Sequence, residues 1–367
     1  MSRADDILND IDDYQDTVCA ILGFVNFYRF DDDRRSFCSD VVVFQGRRLS
    51  RLDDPESEVT PDFGVVYSGD RGVLGEAKKS FPQDRMLWID DLRQLVRYDD
   101  ELLGWPTETE RVASHDIVLL THLSRVVDVC DVLRTDGRSE GIEFQRPFSV
   151  VSFSRADERD PFFFFQKREG HLSHEPLDGR LHSGVSVPMK VFAAEYSTVK
   201  LYDAEPPVAY MAFLIWENVI VPRASEDSKY RRLRKNQKIE VQLGVEDVVR
   251  ELHEGFSFHT LQGGATERQP LVPRKEWCGR GCALLVSGDL AVWDDPLSRD
   301  SITVYYRRLE STTLEHMVQL AVADSGPAKG QLGLFPKSEE GSPAGVPERS
   351  GRADRGESGA PDTEQAE

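Results

Sequence analysis

Asp62, Glu76 and Lys78 are the residues whose types and spacing point to chemistry. Asp62 opens an apolar run, a Ser68-Gly69-Asp70-Arg71-Gly72 turn follows, and the returning run delivers Glu76 and Lys78, with thirteen residues between the two acids. Strand side chains alternate between faces, so Glu76 and Lys78 point to one side of a sheet and Ala77 to the other. If residues 62–67 and 73–78 pair as a hairpin, Asp62 lies beside Glu76 on the same edge. Two carboxylates next to a lysine make a cation site with a positively charged neighbour. Such a site suits Mg²⁺-assisted attack of water on a phosphodiester. A polar hairpin whose charges only solvate an edge is the competing account.

The elements that must position these groups read in the order helix, strand, strand, strand, helix, strand. Ile7, Ile11, Val18, Ile21, Leu22 and Val25 recur at helical spacing with acidic residues between them. Residues 39–44 predict a strand that ends at Gln45-Gly46, and the hairpin runs follow. Pro82 sits at the entry of a helix whose apolar positions are Met86, Ile89, Leu92, Leu95, Val96 and Leu102. After the Gly104-Trp105-Pro106 break, residues 116–121 predict a buried strand and 126–133 a helix.

This order, with Pro-Asp62 and Glu76-x-Lys78 in apolar strand-like runs, resembles the αβββαβ core of the PD-(D/E)xK nuclease superfamily. The implied fold is restriction-endonuclease-like, an α/β core with a mixed sheet. The resemblance covers roughly residues 1–135, within an expected core of residues 1–140. It implies Mg²⁺-dependent hydrolysis of DNA, with Mn²⁺ able to substitute, in repair, replication-linked processing or defence against foreign DNA. A non-catalytic DNA-associated adaptor with a degenerate nuclease fold is the alternative. Many members carry a Gln on the helix after the lysine strand, and Gln94 occupies a comparable place. An acid from the first helix is also common; Asp13 and Asp16 both qualify. Asp62, Glu76 and the Ala77 carbonyl would hold the metal, and Lys78 would orient water or offset charge on the phosphate. Gln94 would support them by hydrogen-bonding water or Lys78. Double-strand cutters of this fold often pair, so a homodimer is admitted and the oligomeric state stays open.

Residues 141–204 read as a β-rich extension, in which the four phenylalanines 162–165 predict a strand buried on both faces. Residues 205–323 read as an α+β module: an apolar helix at 208–220, a strand at 239–243, a helix at 245–254, a hairpin at 283–293 and a strand at 301–306. Helices followed by a hairpin resemble a winged helix-turn-helix. The 245–254 helix carries Glu246, Asp247, Glu251 and Glu254, which argues against base reading by it in the major groove.

The chain has 45 Lys and Arg against 65 Asp and Glu, a formal charge of −20. This argues against coating nucleic acid through bulk electrostatics, and binding would need a local basic patch. Lys229, Arg231, Arg232, Arg234, Lys235 and Lys238 supply one, with Tyr230 available to stack, unless this is a solvated loop. Five scattered cysteines predict reduced thiols; Cys278 and Cys282 form half of a zinc pattern without a second pair at suitable spacing. No apolar run has the length of a membrane span, and the acidic N-terminus lacks a secretory signal. The expectation is a cytoplasmic protein without a membrane partner. No Gly-x-Ser-x-Gly elbow or Walker-type loop occurs, against a serine hydrolase or an ATPase.

From residue 324 the composition collapses to Gly, Ser, Pro, Glu, Ala and Arg, which predicts a disordered tail at 324–367. Inside it, Gln331-Leu332-Gly333-Leu334-Phe335 resembles the bacterial sliding-clamp-binding pentapeptide, QL[S/D]LF. The resemblance makes Gln331 the anchor and Leu332, Leu334 and Phe335 the groove-filling plugs. Gly333 departs from the usual small polar residue and adds ordering cost.

Overall fold

A capping box starts the first helix, α1 (Arg3–Phe27): the Ser2 hydroxyl accepts the Asp5 N–H while the Asp5 carboxylate takes the Ser2 N–H. The computed structural model describes residues 2–28, 38, 40–79, 85–156, 161–189, 201–202, 204–234, 237–254, 273–309 and 311–325. Lys235 and the clamp-like residues Gln331, Leu332, Leu334 and Phe335 lie outside these, as does nearly all of the expected tail. The described residues belong to one compact unit, residues 1–326.

The elements after α1 are β1 (Val42–Phe44), β2 (Leu49–Arg51), β3 (Glu58–Val59), β4 (Phe63–Tyr67), β5 (Arg71–Lys78), α2 (Arg85–Val96), β6 (Leu102–Leu103), β7 (Ser114–His122) and α3 (Val126–Thr135). They continue with β8 (Phe148–Ala156), β9 (Phe162–Gly170), α4 (Glu175–Ser183) and β10 (Val185–Pro188). Seven strands form one mixed sheet in the order β1-β4-β5-β7-β8-β9-β10. β4 runs antiparallel to β1 and β5, β5-β7-β8 run parallel, and β9 and β10 are antiparallel additions. A small sheet, β3-β2-β6, stands apart.

The hairpin register follows from a left-handed turn at Ser68 and Gly69, φ 51° and 83°, and sets Phe63 opposite Gly75. The Phe63 ring lies across Gly75, where an added Cβ would come within 2.0 Å of it. Each face of the sheet has its own core. Phe63, Val65, Val73 and Ala77 pack with α1, while Val66 and Leu74 pack with Ile89, Leu92 and Leu95 of α2.

The second half contains α5 (Val208–Ile215), a π-helical turn (Trp216–Ile220), α6 (Val221–Ser225), a 3₁₀ turn (Tyr230–Arg232), β11 (Ile239–Gly244), α7 (Val245–Glu254), α8 (Lys275–Ser287), β12 (Ala291–Trp293), β13 (Ser301–Tyr306) and α9 (Thr313–Asp324). Its strands pair antiparallel in the order β11-β13-β12. Its core is continuous with the α1 side of the large sheet. No helix among the described residues is long and apolar enough to cross a membrane.

Three sequence expectations are corrected. The helix expected to reach Leu102 ends at Val96, and Leu102 pairs with Arg51 in the small sheet. The hairpin expected at 283–293 does not form: residues 283–287 end α8, and only Ala291–Trp293 is strand. The apolar run continues the helical face of Trp277, Cys278 and Cys282, and a short apolar run reads equally as helix or strand. The phenylalanine run is buried on one face only, through Phe163 and Phe165, with Phe162 and Phe164 half-buried.

Candidate active site

Continuing the β4–β5 register by one residue brings Asp62 opposite Glu76. Both are buried, Asp62 at 6% and Glu76 at 3% exposure. Because Leu74 and Val66 face α2, so do Glu76, Lys78 and Asp62 two and four positions along. The three side chains share one face where the start of β4 lies beside the end of β5. Pro61 has no N–H and lies beyond β4, and the Asp62 Oδ2 instead accepts the Ala77 N–H at 2.8 Å. In an extended strand one residue's N–H and C=O project to the same side, so the Ala77 carbonyl faces this edge too.

The helix after the hairpin supplies the next layer. Gln94 Nε2 donates to Glu76 Oε1 at 3.2 Å, and the Tyr98 hydroxyl donates to the same oxygen. Gln94 therefore contacts Glu76 rather than Lys78 among the described protein groups. Lys78 Nζ reaches Asp91 Oδ1 at 3.5 Å. Thr121, the register partner of Lys78 on β7, is fully buried, and its Oγ1 has no partner among the described residues. Sequence reading missed Tyr98, Asp91 and Thr121. Tyr98 was within reach, since it follows Gln94 by four residues and shares its side.

Charge and burial oppose each other here. Burial chiefly, and then neighbouring Asp62, hold the Glu76 carboxyl well above the usual range, against Lys78 and the Tyr98 hydrogen bond. The two carboxyls lie within hydrogen-bonding reach of each other. Burial works against the Lys78 ammonium, but Glu76, Asp91 and Asp62 outweigh it and raise its pKa. Lys79 points to the other face, where its ammonium bridges Asp13 Oδ1 at 2.8 Å and Asp16 Oδ2 at 2.9 Å. Asp16 also takes Arg155 at 2.8 Å. Both first-helix acids are thus engaged with Lys79 instead of joining Glu76. A cavity of about 260 Å³ borders this end of the sheet, walled by Asp13, Tyr14, Ala77, Lys78 and Tyr202 among others.

The remaining candidates lie elsewhere. Lys229, Arg231, Arg232, Arg234 and Lys238 are exposed around the 3₁₀ turn and the start of β11. Tyr230, expected to be free for base stacking, instead stacks on Tyr306 with centroids 5.4 Å apart. Cys278 and Cys282 are buried in α8, where burial lifts both thiols, Cys282 to about 12. Gly281 between them allows α8 to approach α5, since a Cβ there would meet Ile215 at 2.7 Å. No group of three or more His, Cys, Asp or Glu side chains suited to a metal occurs among the described residues. No protein-family model matches the chain, and no match was found among curated proteins.

Proposed function

We propose that this chain is a Mg²⁺-dependent nuclease that hydrolyses DNA phosphodiester bonds. The carrying observation is the meeting of Asp62, Glu76 and Lys78 on one face at one end of a mixed sheet. Two features of the architecture support a restriction-endonuclease-like core. The strands β1-β4-β5-β7 pair antiparallel, antiparallel and parallel, and α1 and α2 cover opposite faces. The run from α5 through β11, α7, α8, β12 and β13, with strand order β11-β13-β12, supports a winged-helix-like reading of the second half.

The donor set fits a hard divalent cation: two carboxylates and a peptide oxygen, where burial and mutual repulsion disfavour two free negative charges. Mg²⁺ bound there supplies Lewis acidity and an acidified water. The chain's own groups do the positioning. Asp62 is anchored on the Ala77 N–H, and Gln94 and Tyr98 hold one oxygen of Glu76, leaving the other for the cation. Lys78, kept protonated by its acidic neighbours, offsets charge that builds on the phosphate. Asp91 holds the ammonium until phosphate competes for it.

The test is cleavage of circular, linear, nicked and branched DNA by the purified chain with Mg²⁺ or Mn²⁺. Metal-dependent cutting that Glu76→Ala and Lys78→Ala abolish supports the enzyme. A chain that binds DNA and cuts none of these substrates is the non-catalytic adaptor instead. Clamp docking by the tail is a separate proposal resting on Gln331, Leu332, Leu334 and Phe335. A peptide of residues 330–337 should bind a bacterial sliding clamp, and Leu334→Ala with Phe335→Ala should remove that binding. Indifference to the two changes ends the clamp idea.

A further inference from the structure

The catalytic reading leaves unused an exposed basic face at the end of the β11-β13-β12 sheet. Lys229, Arg231, Arg232 and Arg234 surround the 3₁₀ turn, and all four are exposed. An aromatic column fixes that turn against β13. Trp216 stacks on Tyr306 at 5.6 Å, Tyr306 stacks on Tyr230 at 5.4 Å, and the two tyrosine hydroxyls meet at 3.3 Å. The β11–β13 register pairs Ile239 with Tyr306, so the next residues out, Lys238 and Arg307, stand opposite each other. The Lys238 ammonium lies 3.6 Å from the centroid of the Tyr305 ring. Arg308 follows, and both Arg307 and Arg308 are exposed.

Two stretches distant in sequence, 229–238 and 307–308, thus gather their cations at one end of one sheet, and sequence reading found only the first. None of these side chains forms an ion pair among the described residues. Elsewhere in the same half, cations are matched: Arg223 with Glu251, Arg250 with Asp247, Lys275 with Glu246 and Arg280 with Glu205. Among the described residues, acids of the adjoining segments form no ion pair with these cations. Glu240 stands opposite Tyr305, Glu217 takes the Thr313 hydroxyl, and Asp227 takes the Lys229 N–H. Like charges repel, and a chain with 65 acidic residues has ample carboxylates to pair them. An unpaired basic cluster held on a rigid aromatic column is suited to a polyanion.

We propose that this face grips the phosphate backbone of duplex DNA without reading its bases. Duplex is favoured over single strand because the rings that would stack on bases are taken. Tyr230 and Tyr306 stack on each other, and Tyr305 is covered by Lys238.

The experiment is fluorescence anisotropy of a labelled random-sequence duplex with the full chain in chelator, so that no cutting intervenes, across a salt series. Binding should weaken linearly in log salt. Arg307→Glu with Arg308→Glu should weaken it about tenfold or more and lower the salt slope by about two. Arg231→Glu with Arg232→Glu should do the same, and serves if the first pair fails to fold. Arg138→Glu, a reversal at an exposed site outside the face, should change neither quantity. The inference is overturned by absence of duplex binding at low salt, by indifference to both pairs, or by tighter binding to single strands or anionic vesicles. The outcome is separable from the catalytic reading: binding without cutting leaves this face standing, and cutting unaffected by both pairs removes it.

Discussion

Glu76 and Asp116 sit on neighbouring strands of one sheet, 3% and 1% exposed, yet they keep different company. Glu76 faces α2, meets Asp62, accepts from Gln94 and Tyr98, and has Lys78 two residues on. Asp116 pairs in register with Val73 and so faces α1, beside Tyr28 and Tyr67. One of its oxygens takes the Ser173 N–H at 2.9 Å, and the other has no partner among the described residues. Burial raises both carboxyls, so an elevated acid does not by itself mark chemistry. The difference is convergence: only Glu76 has a second acid at register distance and a lysine on its own face.

The largest expected effect breaks or keeps that contrast. Glu76→Ala or Lys78→Ala should lower DNA cleavage by roughly 10²–10³-fold or more, as for removal of a group that stabilises transition-state charge. Asp116→Asn should leave the rate within about twofold, because a surface or buried group remote from the reacting atoms adds little to the barrier. A comparable loss in both variants would mean that buried acidity, not convergence, underlies the activity.

A smaller effect sharpens the contrast at Glu76. Tyr98→Phe removes one of two donors to a single carboxylate oxygen, a bond to a charged acceptor worth about 1.5–3 kcal/mol. Cleavage should fall about tenfold or more with the fold intact by circular dichroism, and an unchanged rate would reduce Tyr98 to packing.

The smallest effect lies in stability. Burial holds His115 down at about 4, below its ordinary 6.5, with Nε2 donating to the Tyr98 carbonyl at 2.6 Å. Between those values the unfolded chain takes up a proton that the folded chain does not, so stability is full above 6.5 and declines as pH falls toward 4. Thermal melting across that window should show the decline, and His115→Gln should flatten it. Parallel declines in both proteins would assign the effect to other groups.

Much of this site is legible from sequence because it is local and periodic. Asp62, Glu76 and Lys78 lie on two strands of one hairpin, where a two-residue period and one turn fix which side chains share a face. Gln94 follows from helical spacing. Asp91 and Thr121 do not, since their place depends on how α2 and β7 lie against β5, and no local pattern encodes that contact. The misread segments fail for a related reason. Residues 283–287 are apolar enough for either element, and packing of Gly281 against Ile215 decides for helix. Leu102 continues the helical spacing, but the helix has already ended at Val96, and the leucine goes to a strand pairing with Arg51. Arg307 and Arg308 join the basic face only through strand register, which sequence does not specify.

The most direct measurement is the change in melting temperature when Mg²⁺ or Mn²⁺ is added to chelator-treated full chain, wild type against Glu76→Gln. Glutamine keeps an oxygen for Gln94 and Tyr98 and offers Asp62 a donor, so it relieves the repulsion that a bound cation would relieve. The expected result is a wild type that melts higher with the divalent cation, and a variant that already melts higher without it and does not respond. Equal responses in the two proteins, or no response in the wild type, would contradict a cation site at Asp62 and Glu76.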